Sequence, residues 1–228
     1  EREKDEAKKK LGVSYRHITR ADYKFDGAGY LPQERWHVWV IDATSGEATQ
    51  LTEGDKDETE PRWSPDGQAI LFASNRGERP DMNLDETELY LIPATPRPQR
   101  SQKTSEVTET EMRQLETRPG RKFAAVFSPD GRHVAYLGRD KPGRWYQNAR
   151  LYVAAVAGGG ARDISGDSDL HLSGSTNGDV FNELSPALPV WSADGQRLYV
   201  GASWQGNEPL VALAAFAPNP TPQQVIAE

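Results

Sequence analysis

The sequence predicts an all-β fold, part of a β-propeller made of four-stranded blades. The first supporting observation is a turn segment that occurs at 63–67, 127–131 and 191–195 as Trp-Ser-Pro-Asp-Gly, Phe-Ser-Pro-Asp-Gly and Trp-Ser-Ala-Asp-Gly. The spacing is 64 residues both times (127 − 63 and 191 − 127). The second observation is that each copy leads into a short apolar run. A fixed period of this kind is the sequence signature of repeat architectures, propellers among them.

The repeated segment predicts β-hairpin turns at 64–67, 128–131 and 192–195. Proline fixes φ at the second position of a type I turn, aspartate tolerates the third position, and glycine accepts the left-handed conformation that closes a bulged hairpin. The third copy has Ala193 in place of proline, which weakens this preorganisation but keeps Asp-Gly. The residues assigned to the turns are Asp66, Gly67, Asp130, Gly131, Asp194 and Gly195.

Each repeat unit is predicted to hold about four short strands. The runs after the turns are apolar on both faces, as expected of strands that neighbouring sheets cover on both sides. The runs after the turns lie at 69–73, 133–137 and 198–202. A second set of β-rich runs lies at 38–42, 89–92 and 151–154, and the matching return strands lie at 50–52, 114–116 and 163–165. A blade needs about 40–45 residues. The remaining residues of each unit are therefore predicted to lie in loops, chiefly 93–112 and 166–189.

Composition excludes several classes of protein. The 228 residues carry a net charge of −7, which argues against a nucleic-acid surface, and they include no Cys, so disulfides and thiolate metal sites are excluded. No apolar run approaches the roughly 18 residues of a membrane helix. Residues 1–13 are predicted to be a charged helical or disordered linker, and residues 14–228 a partial propeller. Because the chain starts within a charged run, without Met, we interpret it as a fragment.

An ordered set of segments upstream of the first turn is more specific than any single hairpin. Residues 18–30 read Ile-Thr-Arg-Ala-Asp-Tyr-Lys-Phe-Asp-Gly-Ala-Gly-Tyr, and 36–42 read Trp-His-Val-Trp-Val-Ile-Asp. Gln-Leu-Thr-Glu-Gly-Asp at 50–55 and Pro-Arg-Trp-Ser-Pro-Asp-Gly at 61–67 follow in order. This series resembles the propeller of acylaminoacyl-peptidase-like members of the prolyl oligopeptidase family of serine peptidases.

The resemblance implies a fold and a role. Propellers of that family have about seven blades, so this chain would supply about half of one. The resemblance implies a non-catalytic propeller that gates the access of oligopeptides to an α/β-hydrolase domain downstream in the same polypeptide. It further implies a cytoplasmic parent peptidase with a Ser-His-Asp triad, no cofactor and peptide substrates, and it leaves a homo-oligomeric parent open. The alternative hypothesis is a periplasmic TolB-like module that binds proteins. A third hypothesis is the propeller of a lyase or of another hydrolase.

No complete catalytic site is predicted within the chain. The string nearest to the nucleophile motif G-x-S-x-G lies at 174–178 and has Thr176 at its centre, in a loop-like context. The acidic group at 163–169 could coordinate a hard cation, but it lacks the Asp-x-Asp-x-Asp-Gly pattern of a calcium loop and is interpreted as a solvated acidic turn. The acidic run at 55–60 is interpreted as a solvated loop, which would also repel acidic peptides. Three arginines close to the ends of post-turn strands are candidates for binding peptide carboxylates or carbonyls, the alternative being ordinary surface ion pairs. These are Arg76, Arg139 and Arg144.

Overall fold

The computed structural model describes residues 17–26, 29–83, 85–94, 112–141, 143, 146–173 and 188–226. This part of the chain contains strands and no helix, hence no helix that could cross a membrane. The predicted linker at 1–13 lies outside the described residues. The strands are β1 (Lys24–Phe25), β2 (Gly29–Tyr30), β3 (Trp39–Ile41), β4 (Ala48–Gln50), β5 (Glu58–Trp63), β6 (Ala69–Ser74), β7 (Glu88–Pro93), β8 (Arg113–Gln114), β9 (Lys122–Phe127), β10 (His133–Gly138), β11 (Arg150–Ala155), β12 (Ala161–Asp163), β13 (Val190–Trp191), β14 (Arg197–Gly201), β15 (Leu210–Ala214) and β16 (Gln223–Ile226).

The chain divides into two compact units, 1–34 and 35–228. The first contains the short hairpin β1–β2, in which Lys24 pairs with Tyr30. The second contains three four-stranded antiparallel sheets, each built from strands that are consecutive in sequence. We call them blade 1 (β5–β8), blade 2 (β9–β12) and blade 3 (β13–β16). The pair β3–β4 precedes them. These sheets confirm the predicted all-β fold of four-stranded blades.

The repeated segments form the predicted turn in each blade, between its first and second strands. At 64–67 the Gly67 N–H donates to the Ser64 carbonyl oxygen (2.9 Å), the Ser64 hydroxyl donates to Asp66 Oδ1 (2.6 Å), and Gly67 has φ +70°. The same two distances are 2.9 and 2.6 Å at 128–131, and 2.9 and 2.5 Å at 192–195. The serine hydroxyl, followed by a backbone N–H, holds the pKa of each turn aspartate below its usual value. Replacement of proline by Ala193 therefore leaves the turn unchanged.

Apolar cores lie between neighbouring sheets. One cluster joins Val38 and Leu51, at the β3–β4 pair, to Phe72 and Tyr90 of blade 1. A second lies between blades 1 and 2, and a third between blades 2 and 3. Strands β6 and β10 are buried on both faces, as predicted, because a sheet covers each side. In β14, buried residues alternate with partly buried or exposed ones, because among the described residues a sheet covers one face of blade 3.

The first strands of blades 1 and 2 contain a β-bulge at equivalent positions. The pairing register shifts between Thr59 and Arg62 in β5, and opposite Ala135–Leu137 in blade 2. Glu60 and Ala124, which are 64 residues apart, both have φ +53°, a conformation that is uncommon for residues other than glycine. The Ala124 N–H donates to the Glu60 carboxylate (2.7 Å). A side chain of one bulge thus satisfies a backbone donor of the next, which links the two blades.

Candidate functional site

Each blade has a turn end, where the Ser-x-Asp-Gly hairpin lies, and a loop end, where its second strand connects to its third. The register fixes the loop end, because Ser74 pairs with Glu88 and Gly138 pairs with Arg150. Arg76 and Arg139 lie within two residues of these strand ends, so both belong to the loop end. Arg144 follows Arg139 in the same connection but lies outside the described residues. Arg76 and Arg139 thus lie near the ends of post-turn strands, as the sequence suggested, and their role in binding stays a prediction.

The two long inserts start at opposite ends of the blades. Strand β7 finishes at Pro93, which pairs with Ala69 beside the turn, so the insert 93–112 leaves from the turn end. Strand β12 runs back toward the loop end. Just after β12, the Ile164 N–H donates to the Leu151 carbonyl oxygen (2.9 Å). The insert 166–189 therefore leaves from the same end as the arginines. Only this second insert starts close to the candidate residues.

Arg76 is held by a buried carboxylate. The Glu58 side chain is fully buried, and its oxygens lie 2.5 Å from Arg76 Nη2, 2.8 Å from His37 Nδ1 and 3.0 Å from the Thr52 hydroxyl, which donates. Arg76 also lies over the ring of Tyr90, 5.4 Å from its centroid. The interpretation of 55–60 as a solvated loop is therefore wrong for Glu58. This residue starts β5, where the Arg76 guanidinium of the same blade neutralises it and His37 and Thr52 of the preceding sheet contact its other oxygen.

Blade 2 repeats this arrangement with the charges reversed. Lys122 occupies the position equivalent to Glu58, is buried, and forms an ion pair with Glu88 of blade 1. The Thr117 hydroxyl donates to the other oxygen of Glu88 (2.8 Å). Burial lowers the pKa of Lys122, and the hydrogen bond and charge of Glu88 oppose that shift. At both positions a buried ionisable side chain thus contacts the preceding sheet, Glu58 through His37 and Lys122 through Glu88.

Arg139 has a different environment, which brings in a residue that the sequence did not single out. Its Nε donates to the backbone carbonyl of Gln147 (2.8 Å), and the guanidinium is partly buried. The Arg139 N–H donates to the Arg121 carbonyl oxygen (3.1 Å), so the two arginines stand opposite each other just beyond the paired ends of β9 and β10. Burial first, and then the positive charge of Arg121, lower the pKa of Arg139. Only the strand pairing brings Arg121 to Arg139.

A serine and a histidine meet at the loop end but are not arranged as nucleophile and base. His171 Nε2 lies 2.5 Å from the Ser173 hydroxyl, and the Ala149 N–H donates to His171 Nδ1 (3.0 Å). In the neutral ring, an accepting Nδ1 places the hydrogen on Nε2, which then donates to Ser173. Burial, followed by the charge of Arg139, lowers the pKa of His171 and so favours the neutral ring. In this arrangement His171 has no lone pair with which to accept the Ser173 proton.

The remaining polar clusters have local partners. Asp163 forms an ion pair with Arg150 (2.5 Å), and Asp169 accepts from the Asn148 side chain (3.0 Å). Within the described ranges, no group of three or more His, Cys, Asp or Glu side chains could hold a metal ion. The string at 174–178 lies outside those ranges.

Comparison with known proteins supports a peptidase propeller. No family model matches the chain. Dipeptidyl-peptidase 5 of Trichophyton equinum is 28% identical over 161 residues, covering 68% of this chain and 19% of that protein. A puromycin-hydrolysing peptidase of Mycobacterium tuberculosis matches with a TM-score of 0.60 and 17% identity, over 84% of this chain and 26% of that one. TolB of Acinetobacter baumannii matches with a TM-score of 0.51 and 13% identity, over 82% of this chain and 39% of that one.

The chain is a segment of a β-propeller. It spans about a fifth of the length of the dipeptidyl-peptidase 5 relative. The two structural matches are 17% and 13% identical to this chain, and at such low identity they show a shared fold and nothing further. The relatives by sequence are peptidases, consistent with a propeller of the prolyl oligopeptidase family, and this confirms the resemblance drawn from the ordered segments at 18–67.

Proposed function

We propose that this propeller segment is the non-catalytic part of a cytoplasmic serine peptidase that hydrolyses oligopeptides. Its role is to restrict the access of peptides to an α/β-hydrolase active site supplied elsewhere in the same polypeptide. The observation that carries the proposal is the 161-residue match to dipeptidyl-peptidase 5, because it extends over two thirds of the chain. The loop end, with partly buried Arg139 and the start of insert 166–189, is the surface best suited to meet a peptide.

A fluorophosphonate probe tests the division between catalytic and non-catalytic parts. The 228-residue chain should remain unlabelled at every serine, Ser173 included, because His171 donates to that hydroxyl rather than accepting from it. The polypeptide encoded by the complete reading frame should be labelled at one serine and should hydrolyse short peptides faster than folded proteins. Labelling of the 228-residue chain, or the absence of any reactive serine in the complete polypeptide, would contradict the proposal.

The second candidate function is a TolB-like binding module with no enzyme attached. The match to TolB of Acinetobacter baumannii favours the fold of such a module, though at 13% identity. The two functions differ in what the complete reading frame encodes. A G-x-S-x-G segment placed between a strand and a helix would favour the peptidase. A frame without that segment, whose product binds proteins and hydrolyses none, would favour the module.

A further inference from the structure

We propose that Arg121 and Arg139 form a binding site for a carboxylate group of a peptide. The site lies at the loop end of blade 2, where β9 and β10 end side by side. That the ligand is a peptide rests on the proposed peptidase function. Of the candidate arginines named from the sequence, the site contains Arg139, and it adds Arg121.

Two like charges directly opposite each other across an antiparallel pair destabilise a sheet. Among the described residues, no carboxylate lies within ion-pair distance of Arg121 or Arg139. Asp85 is the acidic residue whose charge Arg139 senses, and its carboxylate accepts from the Gly143 N–H (3.2 Å). Asp85 therefore offsets the repulsion between the two guanidinium groups only in part, because it forms no ion pair with either arginine. A bound anion would offset the remainder.

The backbone is shaped to bring the two arginines together. A Cβ at Gly120 would lie 1.9 Å from the Arg139 carbonyl oxygen, and a Cβ at Gly138 would lie 2.7 Å from the Arg121 carbonyl oxygen. Neither distance is possible for a real side chain, so only glycine allows the segments to approach this closely. Gly120 also has φ +92°, a conformation that favours glycine. Both glycines directly precede the arginines that they bring together.

Blade 1 shows that the repeat itself does not require this arrangement. The positions 64 residues before Gly120, Arg121, Gly138 and Arg139 are occupied by Lys56, Asp57, Ser74 and Asn75. In blade 1 the acidic residue forms an ion pair with Arg35 (3.0 Å), and no pair of like charges is present at these positions. The paired arginines and their glycines are thus specific to blade 2, and the propeller fold alone does not account for them.

The two side chains are presented in a way that suits a carboxylate. Arg139 is partly buried and fixed by its bond to the Gln147 carbonyl oxygen, whereas Arg121 is exposed and lies over the Phe123 ring, 5.8 Å from the centroid. Guanidinium groups bind carboxylates through two parallel hydrogen bonds, and partial burial strengthens such bonds. Tyr146, next to Gln147, has an exposed side chain that a peptide could contact.

The test uses the 228-residue chain and three short peptides, with binding followed by NMR titration. The peptides are acetyl-Ala-Ala-Ala with a free carboxyl terminus, its amide, and the amide of acetyl-Ala-Glu-Ala. We expect saturable shifts around Gly120, Gly138 and Gln147 with at least one carboxylate peptide, and binding at least tenfold weaker with the neutral amide. Preference for the first peptide identifies a terminal carboxylate, and preference for the third identifies an acidic side chain. Equal binding of all three, or none, would overturn the proposal.

Variants separate binding from structure. Arg121→Gln and Arg139→Gln should each weaken binding of the carboxylate peptide by about tenfold or more. Arg121→Lys should retain part of the affinity, because it keeps the charge and loses the fork. Arg79→Gln, at an exposed arginine of the loop end of blade 1, is the matched control and should bind like the unmodified chain. Unchanged affinity in both glutamine variants would overturn the proposal.

Thermal unfolding of Arg121→Gln provides the second readout. Removal of one of two like charges should leave Tm unchanged or raise it, because the Arg121 side chain is exposed and forms no ion pair with a described residue. A Tm lowered by several degrees would show a structural role and overturn the proposal. Carboxylate binding without serine reactivity in the complete polypeptide would leave the site standing and remove the peptidase function. The reverse result would remove only the site.

Discussion

At the scale of single residues, two buried ionisable side chains connect neighbouring sheets of this propeller segment. Glu58 and Lys122 occupy equivalent positions in successive blades. Glu58 pairs with Arg76 of its own blade and contacts His37 of the preceding sheet, and Lys122 pairs with Glu88 of the preceding blade. Taking a charge out of water costs several kcal/mol unless an opposite charge and hydrogen bonds compensate. Both residues meet this condition, and each therefore couples two neighbouring sheets.

Removal of the buried carboxylate should destabilise the chain strongly. We expect Glu58→Ala to lower the free energy of unfolding by about 3 kcal/mol, because it leaves the Arg76 charge without its carboxylate and empties a buried site. Urea unfolding at neutral pH, followed by tryptophan fluorescence, measures the change. Glu53→Ala, at an exposed glutamate in the same connection, is the control and should stay within about 0.5 kcal/mol of the unmodified chain. A similarly small effect at Glu58 would contradict the assigned ion pair.

The repeated turn is the informative unit at the scale of elements. The three turns share the same hydrogen bonds and nearly the same glycine φ, +70°, +70° and +67°. Neighbouring turns also lie against each other, since a Cβ at Gly131 would lie 3.6 Å from Pro65. Ala193 thus occupies a backbone position that proline fills in the other two copies.

Restoring the proline should stabilise the third turn. Ala193→Pro is expected to raise the free energy of unfolding by about 0.4–1 kcal/mol, because proline restricts the unfolded chain at a position whose native conformation it already fits. Gly195→Val is the contrasting variant and should lower stability by about 1–2 kcal/mol or more, because its φ is positive. Urea unfolding of the 228-residue chain measures both. A clear loss of stability in Ala193→Pro would show that the third turn differs from the other two.

The two end sheets decide how the isolated chain behaves as a whole molecule. Val38 packs toward blade 1, and the alternation along β3 leaves Trp39 and Ile41 on the other face, 52% and 65% exposed. In blade 3, Val190 and Val225 are 59% and 50% exposed. Each end of the row of sheets therefore presents apolar side chains to solvent, of the kind that a further blade covers in a closed propeller.

The isolated chain should associate as its concentration rises. Sedimentation velocity over a range of concentrations should show reversible association, driven by burial of these apolar faces. Ile41→Lys and Val225→Lys should each reduce it, because a lysine on such a face opposes its burial. Gln68→Lys adds the same charge beside an exposed turn and should leave association unchanged. A monomer at all concentrations would show that the exposed faces are too small to drive contact.

Much of the fold could be predicted from the sequence alone, because its determinants are local. The constant 64-residue spacing (127 − 63 and 191 − 127) predicted the blades, and Pro-Asp-Gly chemistry predicted turns that the structure reproduces at all three sites. Each turn aromatic ends a strand, Trp63 in β5, Phe127 in β9 and Trp191 in β13. The same pattern placed Arg76 and Arg139 beside strand ends. Turn preference and apolar periodicity depend on a few consecutive residues, so both can be recognised in a single amino-acid sequence.

The partners of the charged residues were decided only by the tertiary structure. Glu58 lies in an acidic run that suggests a solvated loop, yet it is buried, Arg76 neutralises it from 18 positions away, and His37 contacts it from 21 positions away. Arg121 carries no motif, and only strand register and two close-approach glycines set it opposite Arg139. The sequence by itself determined the repeating blade and its turns. Which charges are neutralised and which are left for a ligand depends on contacts between distant segments, and these exist only once the sheets have packed.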